Sequence, residues 1–182
     1  MMEKIRRLID EMKATGKYHE PRLKSRAFAR LHKKNLMLFR FDRSQEPWRI
    51  IGVIGFWETS DPSIIEIGTF YVSPEFWRNG IGTELFSTIL QIAPRGAQLF
   101  TVMSDARAMR IAMEFGFMPV TLATPGFSLG VIRQWLGSDR PIPDSVYPYC
   151  SVDGCQNYGT PKSGERWMFV RNGYSLPEEE RG

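Results

Sequence analysis

A glycine-bearing turn between a strand pattern and a helix pattern constrains this chain more than any other feature. Val72 closes a run rich in strand formers, and Ser73-Pro74-Glu75 turn the chain. Arg78-Asn79-Gly80-Ile81-Gly82-Thr83 then leads into Ile81, Leu85, Phe86, Ile89 and Leu90 at helical spacing. A helix N-terminus carries N–H groups without intrahelical acceptors and the positive end of the helix dipole, so it suits a phosphate group. Gly80 and Gly82 let an anion come close to the backbone, Arg78 supplies a cation beside it, and Thr83 supplies a hydroxyl.

Taken alone, the glycine pair fits a plain tight turn equally well. Two nucleotide motifs are excluded by what surrounds it. Leu85 stands at the third glycine position of a dinucleotide fingerprint, and the next strand has no acidic residue at ribose distance. A Walker loop fails because Thr83-Glu84 follow Gly82 and no lysine is present there.

The pattern around the turn predicts an α/β (α+β) chain. Ile5, Leu8, Ile9 and Met12 mark a first amphipathic helix, and Leu23, Ala27, Phe28 and Leu31 a second with a basic opposite face. Alternation then predicts strands over 36–41, 48–57 and 63–72, joined by short antiparallel connections. After the helix that follows Gly80, residues 98–103 read as a buried strand. Asp105 caps a further helix, and 117–123 reads as the next strand. Residues 127–136 fit a helix, 140–162 look irregular, and 165–171 supply a last strand.

With two blocks placed, the passage resembles the cofactor-binding motif of the GNAT superfamily of N-acetyltransferases. The family's strand ending in Val, its Pro-containing turn and its (Gln/Arg)-x-x-Gly-x-(Gly/Ala) are matched by Val72, Ser73-Pro74-Glu75 and Trp77-Arg78-Asn79-Gly80-Ile81-Gly82. Its next helix is matched by Asp105, Ala108, Ile111, Ala112, Glu114, Gly116 and Phe117 in register. The resemblance implies a single domain over 1–182 with a mixed, bent central sheet flanked by helices. Its core would be about 36–123 plus 165–171, with an irregular insertion at 125–164 and a tail at 176–182. It implies acetyl-CoA as acyl donor and an amine of a small molecule or protein as acceptor. The pantetheine arm would pair with the backbone of Phe70, Tyr71 and Val72, the phosphates would meet Arg78, Asn79, Gly80, Ile81, Gly82 and Thr83, and Asp105 would face the pantetheine.

Two departures bear on the chemistry. Trp77 replaces the usual Gln or Arg, and Ala112 stands where many members carry a tyrosine that protonates the departing thiolate, leaving Tyr71, Tyr147, Tyr149 and Tyr158 as unranked candidates. Acetyl transfer to an amine also needs a proton acceptor. Glu66 is the first choice: it lies six residues before Val72, on one strand face with Gly68, Phe70 and Val72 by the two-residue period, at a position where the histone-acetylating branch uses a glutamate as base. Glu58 is its rival. A covalent route is disfavoured because the only histidines, His19 and His32, lie in the leading helices. Direct transfer is expected, with the Val72 N–H polarising the thioester carbonyl.

Bulk composition agrees. At 182 residues, 42% apolar and 24% charged, the chain can bury one hydrophobic core. A net charge of +4 gives only loose attraction to acidic partners, and no nucleic-acid-binding motif accompanies it. No apolar run approaches the roughly 18 residues of a membrane span, and the charged opening MMEKIRRLIDEMK predicts a cytoplasmic chain. Cys150 and Cys155 make half a zinc site at most, so no metal is expected. The rival to an enzyme is a regulatory module that binds acyl-CoA without catalysis. Oligomeric state is not readable.

Overall fold

The computed structural model describes residues 1–16, 18, 22–44, 46–121, 124–137, 140–144 and 164–171. In chain order these form α1 (Met2–Ala14), α2 (Ser25–Lys33), β1 (Met37–Asp42), β2 (Arg49–Glu58), β3 (Ile64–Val72), α3 (Ile81–Gln91), β4 (Gln98–Met103), α4 (Ala106–Glu114), β5 (Met118–Val120), α5 (Leu129–Leu136) and β6 (Trp167–Arg171). One mixed six-stranded sheet has the order β1-β2-β3-β4-β6-β5. β1 runs antiparallel to β2, β3 parallel to β4, and β6 antiparallel to both β4 and β5. The last strand of the chain therefore enters between two earlier ones, which alternation alone does not predict.

The described residues group into two compact units. The first is Met1–Trp57 with Ile67–Ile92. Ile5, Leu8, Ile9 and Met12 of α1 are all buried, as are Phe28 and Leu31 of α2, Met37 of β1, Ile50 and Val53 of β2 and Tyr71 of β3. Each such apolar side chain contributes about 1.5–3 kcal/mol relative to exposure. α3 buries Ile81, Leu85, Phe86 and Ile89. A Cβ on Gly52 would lie 2.9 Å from the Leu85 side chain and 3.4 Å from both Ile81 and the Tyr71 carbonyl. Glycine at 52 thus allows α3 to pack hard against β2.

The second unit holds Glu58–Glu66 and the described residues from Ala93 onward. Its core joins Ile64, Phe100, Val120, Ile132, Trp135, Leu136, Ile142, Met168 and Val170. Ser128 caps α5 by accepting from the Val131 N–H at 3.3 Å. The helix expected at 127–136 is therefore present as Leu129–Leu136, whereas the strand expected at 117–123 is Met118–Val120, with 122 and 123 outside the described residues.

Asp144 accepts from the Arg166 backbone N–H at 2.8 Å and from its guanidinium at 3.2 Å. Burial alone would raise the Asp144 carboxyl, but the two Arg166 donors and the Arg166 charge more than offset it and hold the group below its ordinary value. A carboxyl depressed in the folded state adds stability that is fully present above the unfolded value, about 3.9, and is lost as pH falls through the folded one. Acid melts should show this loss below about pH 4, and Asp144→Asn should remove that part of the pH dependence.

Candidate active site

The turn at Arg78–Thr83 is built by backbone conformation. Arg78 and Gly80 both sit in the left-handed region, at φ 67° and 74°, and the helix begins directly at Ile81. A left-handed residue followed by a right-handed one aims successive N–H groups into a concavity that accepts anions. The first intrahelical bond runs from Glu84 N to Gly80 O at 2.9 Å, so the N–H groups of Ile81, Gly82 and Thr83 precede the helical ladder. Nothing lies within 4 Å of where a Gly80 Cβ would be. Glycine at 80 thus adopts this φ angle without strain and adds no side chain to the turn.

Charge at the turn is arranged to match. Arg78 is exposed and makes no ion pair among the described residues. Glu84, in the first turn of α3, is neutralised by Arg40 of β1 at 2.8 Å. Trp77, at the position where the family has Gln or Arg, donates its indole N–H to the Val72 carbonyl at 2.8 Å. Its role is to brace the end of β3.

β3 is irregular where the sequence predicts contact with an acyl arm. Thr69 adopts φ 57°, which is rare for a β-branched residue, and its hydroxyl accepts from the Trp57 indole at 2.8 Å. The alternation used to place Glu66 on one face with Phe70 and Val72 does not carry across this residue. The ladder with β4 covers Ile64–Glu66 of β3 alone. Ser73 N bonds Ile51 O on the β2 side, so by strand geometry the Phe70 and Val72 backbone groups point to the opposite edge. The Phe70 carbonyl there accepts from the Tyr18 hydroxyl at 2.8 Å. A carbonyl has two lone pairs, so both remain able to accept from a ligand amide.

Other expected residues have partners of their own. Glu66 is 3% exposed and accepts from Arg140 Nη1 at 2.5 Å; the Arg140 side chain keeps 12% of its surface exposed. Arg140 thus occupies one of the two Glu66 oxygens. Asp105 caps α4 through the Arg107 N–H at 3.0 Å and binds the Arg107 guanidinium at 2.9 and 2.6 Å. Ala112 is fully buried. Tyr147, Tyr149, Tyr158, Cys150 and Cys155 lie outside the described residues, and among those described no group of three or more metal-ligating side chains occurs.

One constellation has no signal in the sequence. Glu11 of α1 accepts from Ser73 Oγ at 3.1 Å and lies 3.5 Å from the Tyr71 hydroxyl, with Arg7 Nε at 3.8 Å from its other oxygen. Ser73 is wholly buried and Tyr71 nearly so. Burial pushes the Tyr71 phenol above its ordinary value; a Ser73 hydrogen bond opposes this, and the charges of Glu11 and Glu75 add to it.

The model of the acetyltransferase (GNAT) family matches residues 3–117, well over half of the chain. The chain belongs to the GNAT acetyltransferase family. The matched stretch takes in both the Gly80 turn and the α4 block. GNAT proteins of known structure agree in fold. The diaminobutyrate acetyltransferase of Paenibacillus lautus, solved with L-2,4-diaminobutyric acid and coenzyme A, is 16% identical over 97% of this chain and 93% of its own, with a TM-score of 0.54. A GNAT acetyltransferase from Staphylococcus aureus is 13% identical over 94% and 92%, and Ard1 from Thermoplasma volcanium 12% over 96% and 94%, both with a TM-score of 0.53. At such identities the likeness is one of fold. No curated protein matches the sequence significantly.

Proposed function

We propose that this GNAT chain moves the acetyl group of acetyl-CoA to a primary amine by direct attack of the amine on the thioester. The observation that carries this reading is the left-handed Gly80 opening α3, which aims unbonded N–H groups into a concavity with Arg78 beside it. That concavity fits the pyrophosphate of the donor. The outward edge of β3 at Phe70 and Val72 fits its amide-bearing arm, and the Val72 N–H is the group assigned to polarise the thioester carbonyl. Among the described residues no helix is long and apolar enough to cross a membrane.

Asp105 is the weaker donor contact, because Arg107 already occupies both its oxygens. Glu66 is likewise the weaker base. A second reading, an acyl-CoA-binding module without turnover, draws on Ala112, which removes the usual acid. CoA thiolate leaves without a dedicated acid more readily than an alkoxide does, so Ala112 is compatible with turnover.

The test is an acceptor panel supplied with acetyl-CoA: diamino acids, polyamines, aminoglycosides and peptides with free N-termini or lysines. Diamino acids are included because one structural neighbour acts on 2,4-diaminobutyrate. We expect an acetylated product identifiable by mass for at least one class. Tight CoA binding with no product from any class would favour the module.

A further inference from the structure

We propose that Tyr71, Ser73 and Glu11 form the route by which the acceptor amine loses its proton, the Tyr71 hydroxyl meeting the amine and the Glu11 carboxylate receiving the proton. The inference rests on the acetyl-transfer reading. Three observations carry it. Tyr71 and Ser73 flank Val72, and residues two apart on a strand share a face, so both hydroxyls turn toward α1 and converge on one Glu11 oxygen at 3.5 and 3.1 Å. Ser73 is wholly buried and Tyr71 keeps 6% of its surface exposed, while the Glu11 side chain keeps 28% and so can release a proton to water. Nothing in the packing of α1 requires a carboxylate there, since its core contacts are Ile5, Leu8, Ile9 and Met12.

The charged and titratable surroundings suit a relay. Arg7 lies beside Glu11 on α1, Glu75 is paired with Arg49 of β2, and Tyr18 packs edge-on against Tyr71 with ring centroids 6.0 Å apart. Burial favours the neutral phenol, so Tyr71 passes a proton along without storing one. In the step, an ammonium N–H bond breaks as a phenol O–H forms, and the phenol's former proton moves to the Glu11 oxygen that Ser73 holds in place. The freed nitrogen lone pair forms the new C–N bond, the C–S bond breaks with its electron pair on sulfur, the second proton leaves nitrogen for that thiolate as the amide forms, and Glu11 returns the first proton to water. Tyr71 is the catalytic residue here; Ser73 positions Glu11.

Thiol release from acetyl-CoA tests this with two probe amines, n-butylamine, which is protonated at neutral pH, and hydroxylamine, which is not. Glu11→Gln and Tyr71→Phe should each slow release with n-butylamine about 100-fold at neutral pH, the scale of one general base, yet leave hydroxylamine within about threefold. The n-butylamine loss should shrink as pH approaches about 10, where an alkylamine deprotonates unaided, and Glu11→Asp should recover part of it. Independently of turnover, the ultraviolet titration of wild type minus Tyr71→Phe should place the phenol above ordinary tyrosine, and Glu11→Gln should lower it. Equal losses with both amines at every pH, no loss at all, or a phenol titration indifferent to Glu11→Gln would overturn the relay alone. Wild-type protein that releases thiol with no amine, including the broad panel, would overturn the acetyl-transfer reading and the relay with it.

Discussion

Gly80→Asp should weaken coenzyme A binding about 100-fold while the protein stays folded. Aspartate is among the few side chains that tolerate the left-handed region, and no atom lies within 4 Å of the new Cβ, so the backbone of the turn can persist. What changes is charge. A carboxylate roughly 5 Å from the pyrophosphate, at an effective dielectric near 20, opposes it by about 3 kcal/mol, which is about two decades in affinity. Gly80→Asn carries the same shape without the charge and should stay within about fivefold of wild type. Calorimetric titration of coenzyme A into the three proteins reads this directly. Equal affinity for the Asp and wild-type proteins would mean that the anion binds elsewhere.

Glu66→Gln should be the most damaging single change to stability. It leaves the partly buried Arg140 without its counter-charge, and removing one member of a buried pair costs about 3–5 kcal/mol, with the lower end expected here because Arg140 keeps 12% of its surface exposed. For a chain of this length that lowers Tm by about 10 °C. Replacing both partners, as in Glu66→Met with Arg140→Met, should restore most of the loss, because both charges then leave the interior together. The same variant decides the residue's role in chemistry. If Glu66→Gln melts like wild type but turns over slowly at neutral pH and recovers in alkali, Glu66 is the base and the ion pair is incidental.

The fold was legible because its signals are local. The face of Ile5, Leu8, Ile9 and Met12, the alternation in β1, the Asp105 cap and the Gly80 turn each follow from neighbouring residues, and each is found where the sequence puts it. Long-range pairing was not legible. That β6 lies between β4 and β5 depends on contacts between residues about fifty positions apart, such as Val120 and Met168. The site divides in the same way. The Gly80 turn is contiguous and its shape was readable, whereas Glu11 meets Ser73 across 62 positions, and Arg140 meets Glu66 across 74. The strand period also misled at Thr69, because a left-handed β-branched residue leaves no mark in a hydrophobic pattern.

The Gly80 turn is where we propose that the donor binds; amine-dependent transfer is what would make the chain an enzyme. It is tested most directly by following free thiol and acetylated amine together after adding acetyl-CoA, with and without the amine panel. The account predicts thiol release that depends on the amine and matches the acetylated product mole for mole, abolished together by Gly80→Asp at low donor concentration. Saturable acetyl-CoA binding with no amine-dependent thiol would contradict it.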